Sequence, residues 1–412
     1  MYRSERGYPG AIVRNKFSHE DRQWDTNFFT QGAFKKDVAD WYSLMAHVKY
    51  AYDYLHYLAD PHKDESLMYT NNHYYQQEGY ASLANRWALT SFWEVSLSAD
   101  YQFNLLNADL TDFAYPRRHT EMVAVASALD YHGLKLQGSL LGTFVQERVE
   151  GSGRAAPHKR EWTPALIASY RPFQKEDFHL RAFYKRIFRM PTLNDLYYTF
   201  IGNVDLKPEF TNLFNVGFTY GKSWTGSWLR HLELQVDAYY NEVENKIVAT
   251  PTSNFFRWTM VNLGRVEIRG VDAALQSVWQ YGRHTMLTAR VNYTYQKAQD
   301  FTDPTAEFYG GQIPYIPWHS GSAVLNLNWK KWETNYSFIY TGERYTSQAN
   351  IPVNYQQPWY TSDFSVARRL DWGPGELKVT LEVNNQFNQQ YEVVTCYPMP
   401  GINFKCIVQY SF

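Results

Sequence analysis

The sequence predicts an all-β chain, specifically a transmembrane antiparallel β-barrel, and three observations predict it. Apolar and polar residues alternate along runs of roughly 10 to 15 residues, longer than the roughly 5 to 6 usual in soluble sheets. Aromatic residues make up 18% of the 412 positions (34 Tyr, 25 Phe, 14 Trp), yet the mean hydropathy is polar and no run of about 18 apolar residues could form a spanning helix. Short and long connections alternate, as they do where turns lie on one side of a membrane and loops on the other. A spanning strand needs only about 10 residues with every second one facing lipid, so a polar average is compatible with insertion.

The runs that read as strands are 22–35, 41–55, 72–87, 92–104, 119–130, 133–148, 162–171, 177–188, 210–220, 229–245, 262–280, 284–298, 318–329, 331–341, 358–370, 375–390 and 402–412, about 17 in all. Their faces separate cleanly. Leu287, Ala289, Val291, Tyr293 and Tyr295 oppose Thr288, Arg290, Asn292, Thr294 and Gln296; Trp93, Val95, Leu97, Ala99 and Tyr101 oppose Glu94, Ser96, Ser98, Asp100 and Gln102. The rows Leu232–Tyr240 and Leu377–Val383 behave alike. A soluble sandwich also alternates, but strand length, charges on the polar faces and aromatic pairs at strand ends (Trp41 with Tyr42, Trp329 with Trp332, Trp359 with Tyr360) favour a wet lumen and interfacial girdles. Short turns fall at 131–133, 172–176, 281–283, 330–331 and 371–375. Long connections fall at 56–71, 105–118, 149–161, 189–209, 246–261, 299–317, 342–357 and 391–401.

One long connection organises the rest. From Arg186 to Gly217 the chain reads RIFRMPTLNDLYYTFIGNVDLKPEFTNLFNVG. Pro191 and Pro208 remove backbone donors and Gly202-Asn203 signals a turn. Phe188, Arg189, Pro191, Thr192, Asn194, Asp195, Leu196, Tyr197, Gly202, Asn203, Leu206, Lys207, Pro208 and Glu209 resemble, in order, the long extracellular loop of TonB-dependent outer-membrane receptors of the cobalamin and iron-complex type. Val204 and Asn215 depart from that pattern, where the family usually has Pro and Glu. Asn262-Leu263-Gly264 through Arg269-Gly270-Val271-Asp272 resembles a further family strand. The tail resembles its closing hairpin, with Phe404, Val408, Tyr410 and Phe412 on one face of a last strand like the signal read by the barrel-assembly machinery.

The resemblance implies a 22-stranded barrel, of which residues 1–412 would be the C-terminal barrel portion. About 17 strands with parallel end strands leave five strands, an N-terminal plug domain and the box that contacts TonB upstream, with residues 1–21 the tail of an extracellular loop. The opening MYRSERGYPGAIVRNKFSHEDRQ lacks the apolar core of a signal peptide, so the natural N-terminus is expected before Met1. The implied function is high-affinity uptake of a bulky scarce nutrient, cobalamin first and a ferric siderophore or haem second, driven through the TonB complex in the outer membrane of a Gram-negative bacterium. Expected partners are outer-membrane lipid, the ligand, TonB through the plug, and the assembly machinery.

Candidate ligand-stacking residues are Tyr197, Tyr198, Phe200, Phe255, Phe256, Trp258, Tyr309, Tyr315, Tyr345 and Tyr355, because aromatic rings in outer loops suit a rigid bulky ligand. Each also has a plain packing alternative. Arg189, Asp195, Lys207 and Glu209 are expected to pin the loop base, and Arg181, Lys185, Glu233, Asp237 and Arg290 to line the lumen. A net charge of −1 argues against nucleic acid. Cys396 and Cys406 read as two free thiols. No GxSxG, HExxH or phosphate-binding glycine loop occurs, so the expectation is a non-enzyme with no cofactor and no metal. His73 and His319 read as isolated, and Asp109, Asp112, Asp300 and Asp303 lack EF-hand spacing. A passive porin is the nearest alternative function, and an outer-membrane hydrolase the alternative from another class.

Overall fold

The structure, a computed structural model, describes residues 1–8, 12–13, 16–17, 21–59, 69–151, 153–197, 202–251 and 258–412. Eighteen strands belong to one sheet. The strand beyond the expected set is Tyr2–Tyr8, which runs antiparallel to Asp21–Ala39 with Tyr2 opposite Asn27 and Tyr8 opposite Asp21. Strand parity in a 22-stranded barrel would make residues 1–21 the tail of a loop, and YRSERGY shows no apolar alternation that would mark a strand. The backbone donors and acceptors of the partner strand, which carry no sequence signature, recruit it.

Several strand boundaries also differ. Strands Leu229–Pro251 and Trp258–Tyr281 extend into the loop expected at 246–261. The strand expected over 375–390 stops at Asn384, where Asn385 and Asn388 both take φ of 48°, a left-handed conformation that asparagine tolerates and a strand does not. Among the described residues one α-helix occurs, Leu193–Tyr197.

Two compact units are distinguishable: Met1–Ala168 with Phe183–Asn212 and Val243–Gly264, and Ser169–Ala182 with Leu213–Glu242 and Arg265–Phe412. In the first, strands 21–39, 42–59, 70–88, 93–108, 116–131 and 134–149 form an uninterrupted antiparallel ladder. In the second, strands 285–300, 319–329, 332–341, 359–372, 375–384 and 403–411 do the same.

Within each unit the ladder is one layer thick with neither face covered. Val291 and Tyr293 are 42% and 46% exposed on the apolar face, while Arg290 and Asn292 are exposed on the other. Trp93, Leu97 and Tyr101 are likewise exposed. A soluble sandwich would bury such rows. The polar faces instead satisfy themselves: Lys49, Gln102 and Asn104 all donate to Glu78, Arg181 pairs with Asp237 at 2.9 Å, Arg290 donates to Gln276 at 3.1 Å, and Lys378 donates to Glu333 at 2.8 Å. Side chains already hydrogen-bonded this way suit a watered interior. Cys396 and Cys406 are free thiols.

Candidate functional site

Full burial concentrates at the loop ends of the strands, and there each unit builds its own cluster. In the first unit the organising stretch is the keystone. Thr192 caps the short helix: its hydroxyl accepts from the Asp195 amide at 3.1 Å while the Asp195 carboxylate accepts from the Thr192 amide at 2.8 Å, a reciprocal capping box. Five helical residues cannot hold themselves, so tertiary contacts must. Leu193, Leu196 and Tyr197 pack with Tyr74, Leu106, Phe113, Ala156, Leu206 and Ile247.

Polar clamps complete the base. Arg189 lies 3.6 Å from Asp195 and 3.8 Å from Glu209, and Glu209 accepts from the Ile247 amide at 3.0 Å. Asn262 accepts from the Lys207 amide at 2.8 Å and donates to the carbonyls of Lys207 and Asn245 at 3.1 and 2.7 Å. Asn203 donates to the Met260 carbonyl at 3.0 Å. Pro191 and Pro208 are buried, and Gly202 and Asn203 half-buried, whereas Asn194 is exposed. The motif therefore folds as a plug of loop onto strand ends.

Beneath the helix sits a charged pair that the sequence did not single out. Arg118 donates to both oxygens of Glu147 at 3.2 and 3.4 Å, and their side chains are only 10% and 1% exposed. Tyr197, expected to stack on ligand, is instead 8% exposed, and its hydroxyl accepts from the Ala156 amide at 3.4 Å. Burial and the neighbouring Glu147 carboxylate push its pKa up to about 12. The folded state thus binds this proton more tightly than the unfolded chain, so stability from Tyr197 is whole below pH about 10 and falls as pH rises from about 10 to 12. Alkaline difference absorbance should show late tyrosine ionisation near pH 12, whose amplitude Tyr197→Phe lowers by one residue.

The second unit brings three expected aromatics together. The Tyr315 amide donates to the Tyr345 carbonyl at 2.8 Å, Tyr345 and Tyr355 meet edge to face at 5.8 Å, and the Tyr355 hydroxyl donates to Glu343 at 3.0 Å. Beside them lies Arg344, 2% exposed, which donates to the Glu392 carbonyl at 2.7 Å. Its Nη1 has no partner among the described residues, and burial pushes its pKa down. Gln312, also buried, donates to the Ile316 carbonyl at 2.6 Å, and Asn350 accepts from the Gln312 amide at 2.5 Å. Tyr309 stands apart, 46% exposed and edge-on to Phe301. Arg344 and Gln312 escaped sequence reading because a polar residue in a loop carries no mark of being buried, and Asn350 because its partner Gln312 is 38 residues away.

Tyr198, Phe200, Phe255 and Phe256 lie outside the described residues, and of Trp258 only the backbone is described. His73 is not isolated: it stacks on His56 at 4.1 Å and bonds Asp109 at 2.5 Å through Nδ1. Although burial opposes it, the amide and ring of His73 hold the Asp109 carboxyl below its usual range. Nor is His319 isolated, since Tyr293 lies 2.8 Å from its Nδ1. Asp300 accepts from the Thr302 amide and Asp303 from Thr305. No group of three or more metal-ligating side chains converges among the described residues.

Comparison with known proteins places this geometry. The family model described as "TonB dependent receptor-like, beta-barrel" matches residues 2–385. The chain is 30% identical over 237 residues to the vitamin B12 transporter BtuB of Vibrio vulnificus (strain YJ016), covering 55% of this chain and 33% of that protein. It is 21% identical over 336 residues to that of strain CMCP6, covering 80% and 49%. It thus spans a third to a half of these relatives' length. Among solved structures, the FrpB iron transporter from Neisseria meningitidis (F3-3 variant) superposes with a TM-score of 0.69 at 14% identity, covering 98% of this chain and 68% of that one. Copper transporter OprC gives 0.68 at 15%, covering 95% and 65%; at such identity the likeness is one of fold.

Proposed function

This chain belongs to the TonB-dependent receptor β-barrel family of the outer membrane, and from that premise we propose that it serves high-affinity uptake of a bulky scarce nutrient, with cobalamin the first ligand to test and a ferric siderophore or haem the second. The observation that carries this reading is the ring-to-ring meeting of Tyr345 and Tyr355 at the loop end of the second unit, with the backbone of Tyr315 bonded to that of Tyr345. Rings held by hydrogen bonds and edge contacts give a rigid ligand large contact area with little ordering cost. The relatives named as vitamin B12 transporters put cobalamin ahead. In the proposed cycle the loops and a plug domain hold the ligand, the loops close, and TonB pulls the plug; no covalent step occurs. The exposed row Phe404, Val408 and Tyr410, with Phe412 following, is proposed as the assembly signal.

The test is ligand binding to the folded chain in detergent micelles, followed by quenching of intrinsic fluorescence. Cyanocobalamin should bind, and Tyr345→Ala with Tyr355→Ala should weaken it by about tenfold or more, since two aromatic contacts are each worth about 0.5–1.5 kcal/mol beyond their area. Equal binding by the double variant removes the tyrosine cluster from the site. Tighter binding of haem or a ferric siderophore reassigns the ligand. Ion conductance with no saturable binding of any of the three supports a porin instead.

A further inference from the structure

The apolar face of the second unit ends in a cationic rim. Along strand Thr285–Asp300 this face runs Leu287, Ala289, Val291, Tyr293, Tyr295 and then Lys297. On one neighbouring strand the residues opposite end at Val271 and then Arg269, and on the other they end at Gly321 and then His319. Within a few residues of the loops the surface therefore passes from aliphatic to aromatic to cationic.

Lys297 stands directly opposite Arg269. Like charges in register across two strands destabilise a sheet; Glu267 and Glu242 offset the two arginines of this corner, and the charge of Lys297 is left over. Arg269 shares Glu267 with Arg265, each at 2.9 Å, and Arg265 also reaches Glu242 at 2.8 Å. Lys297 makes no ion pair among the described residues and lies 5.0 Å over the Trp318 ring. The Arg269 side chain is 66% exposed. His319 adds a third polar group: its Nδ1 lies 2.8 Å from the Tyr293 hydroxyl, and its Nε2 has no partner among the described residues.

We propose that this rim binds the phosphate of an anionic lipid headgroup, held by Arg269, Lys297 and His319 Nε2, with the lipid's acyl chains lying along the apolar row. Guanidinium, ammonium and imidazole donors suit phosphate oxygens, and a phosphate between Lys297 and Arg269 turns their repulsion into a shared contact. The row that leads to the rim, with Leu275, Val291 and Leu325 exposed by 39, 42 and 39%, selects a lipid over a free anion. The first unit supplies a contrast. Tyr101 lies 2.6 Å from His119 Nδ1 in the same arrangement, but Glu121 follows on that face and Arg117 is held by Glu150 at 2.7 Å, so no positive surplus remains.

Native mass spectrometry of the folded chain released from mixed micelles tests this, with dioleoylphosphatidic acid, dioleoylglycerol and inorganic phosphate as probes. The chain should retain phosphatidic acid, and Arg269→Gln with Lys297→Gln should lower its affinity by about tenfold or more, as expected on losing two charge-assisted contacts. His319→Gln alone should lower it several-fold, and His119→Gln not at all. Heat-modifiable gel migration checks folding, and His319→Gln serves where the double variant does not fold. Retention of dioleoylglycerol as strong as that of phosphatidic acid, displacement of the lipid by inorganic phosphate at equal concentration, or undiminished retention by the folded variants overturns the proposal.

Discussion

Glu147→Ala should destabilise the folded chain by about 3–5 kcal/mol, because it strands the Arg118 guanidinium in a site already 90% closed to water. The cost is the uncompensated charge, not the lost attraction. Glu147 also faces the Tyr197 hydroxyl, so the same change loosens the short helix above it. Replacing both partners, Arg118→Met with Glu147→Leu, should recover most of the loss, since an apolar pair leaves no charge buried. Guanidinium unfolding of the refolded chain, followed by tryptophan fluorescence, measures both variants. If the single change proves as mild as a surface substitution, the pair is wetter than its burial indicates.

Leu196→Ala should cost about 2–5 kcal/mol, but locally. Leu196 is 1% exposed and packs in the cluster that holds helix Leu193–Tyr197 against the strand ends. A five-residue helix has no stability of its own, so the cavity should release the whole loop base while the strand ladder stays paired. Trypsin should then cut after Arg189, just before the helix, while the strand lysines and arginines stay protected; Lys207 precedes Pro208 and offers no tryptic site. Simultaneous cleavage throughout the ladder would mean that the loop base is no separate cooperative unit.

Local alternation is enough to place the strand ladder and its two faces. Alternation is a local property: Leu287, Ala289 and Val291 share a face because successive side chains in a strand point to opposite sides, whatever the partner. The sequence also shows the family, through ordered residues such as Pro191, Asn203 and Lys207-Pro208 that lie in one stretch of chain. It did not yield strand Tyr2–Tyr8, whose side chains do not alternate and whose partner's backbone recruits it.

What the loops do follows from long-range packing. Tyr197 and Tyr345 look alike as residues in outer connections, yet one is sealed beneath a loop by Glu147 and Ala156 and the other meets Tyr355 at the surface. Arg118 with Glu147, and Arg344 with the carbonyl of Glu392, unite positions 29 and 48 residues apart. Burial, and with it charge pairing, depends on which distant segments cover a residue, and no local pattern encodes that.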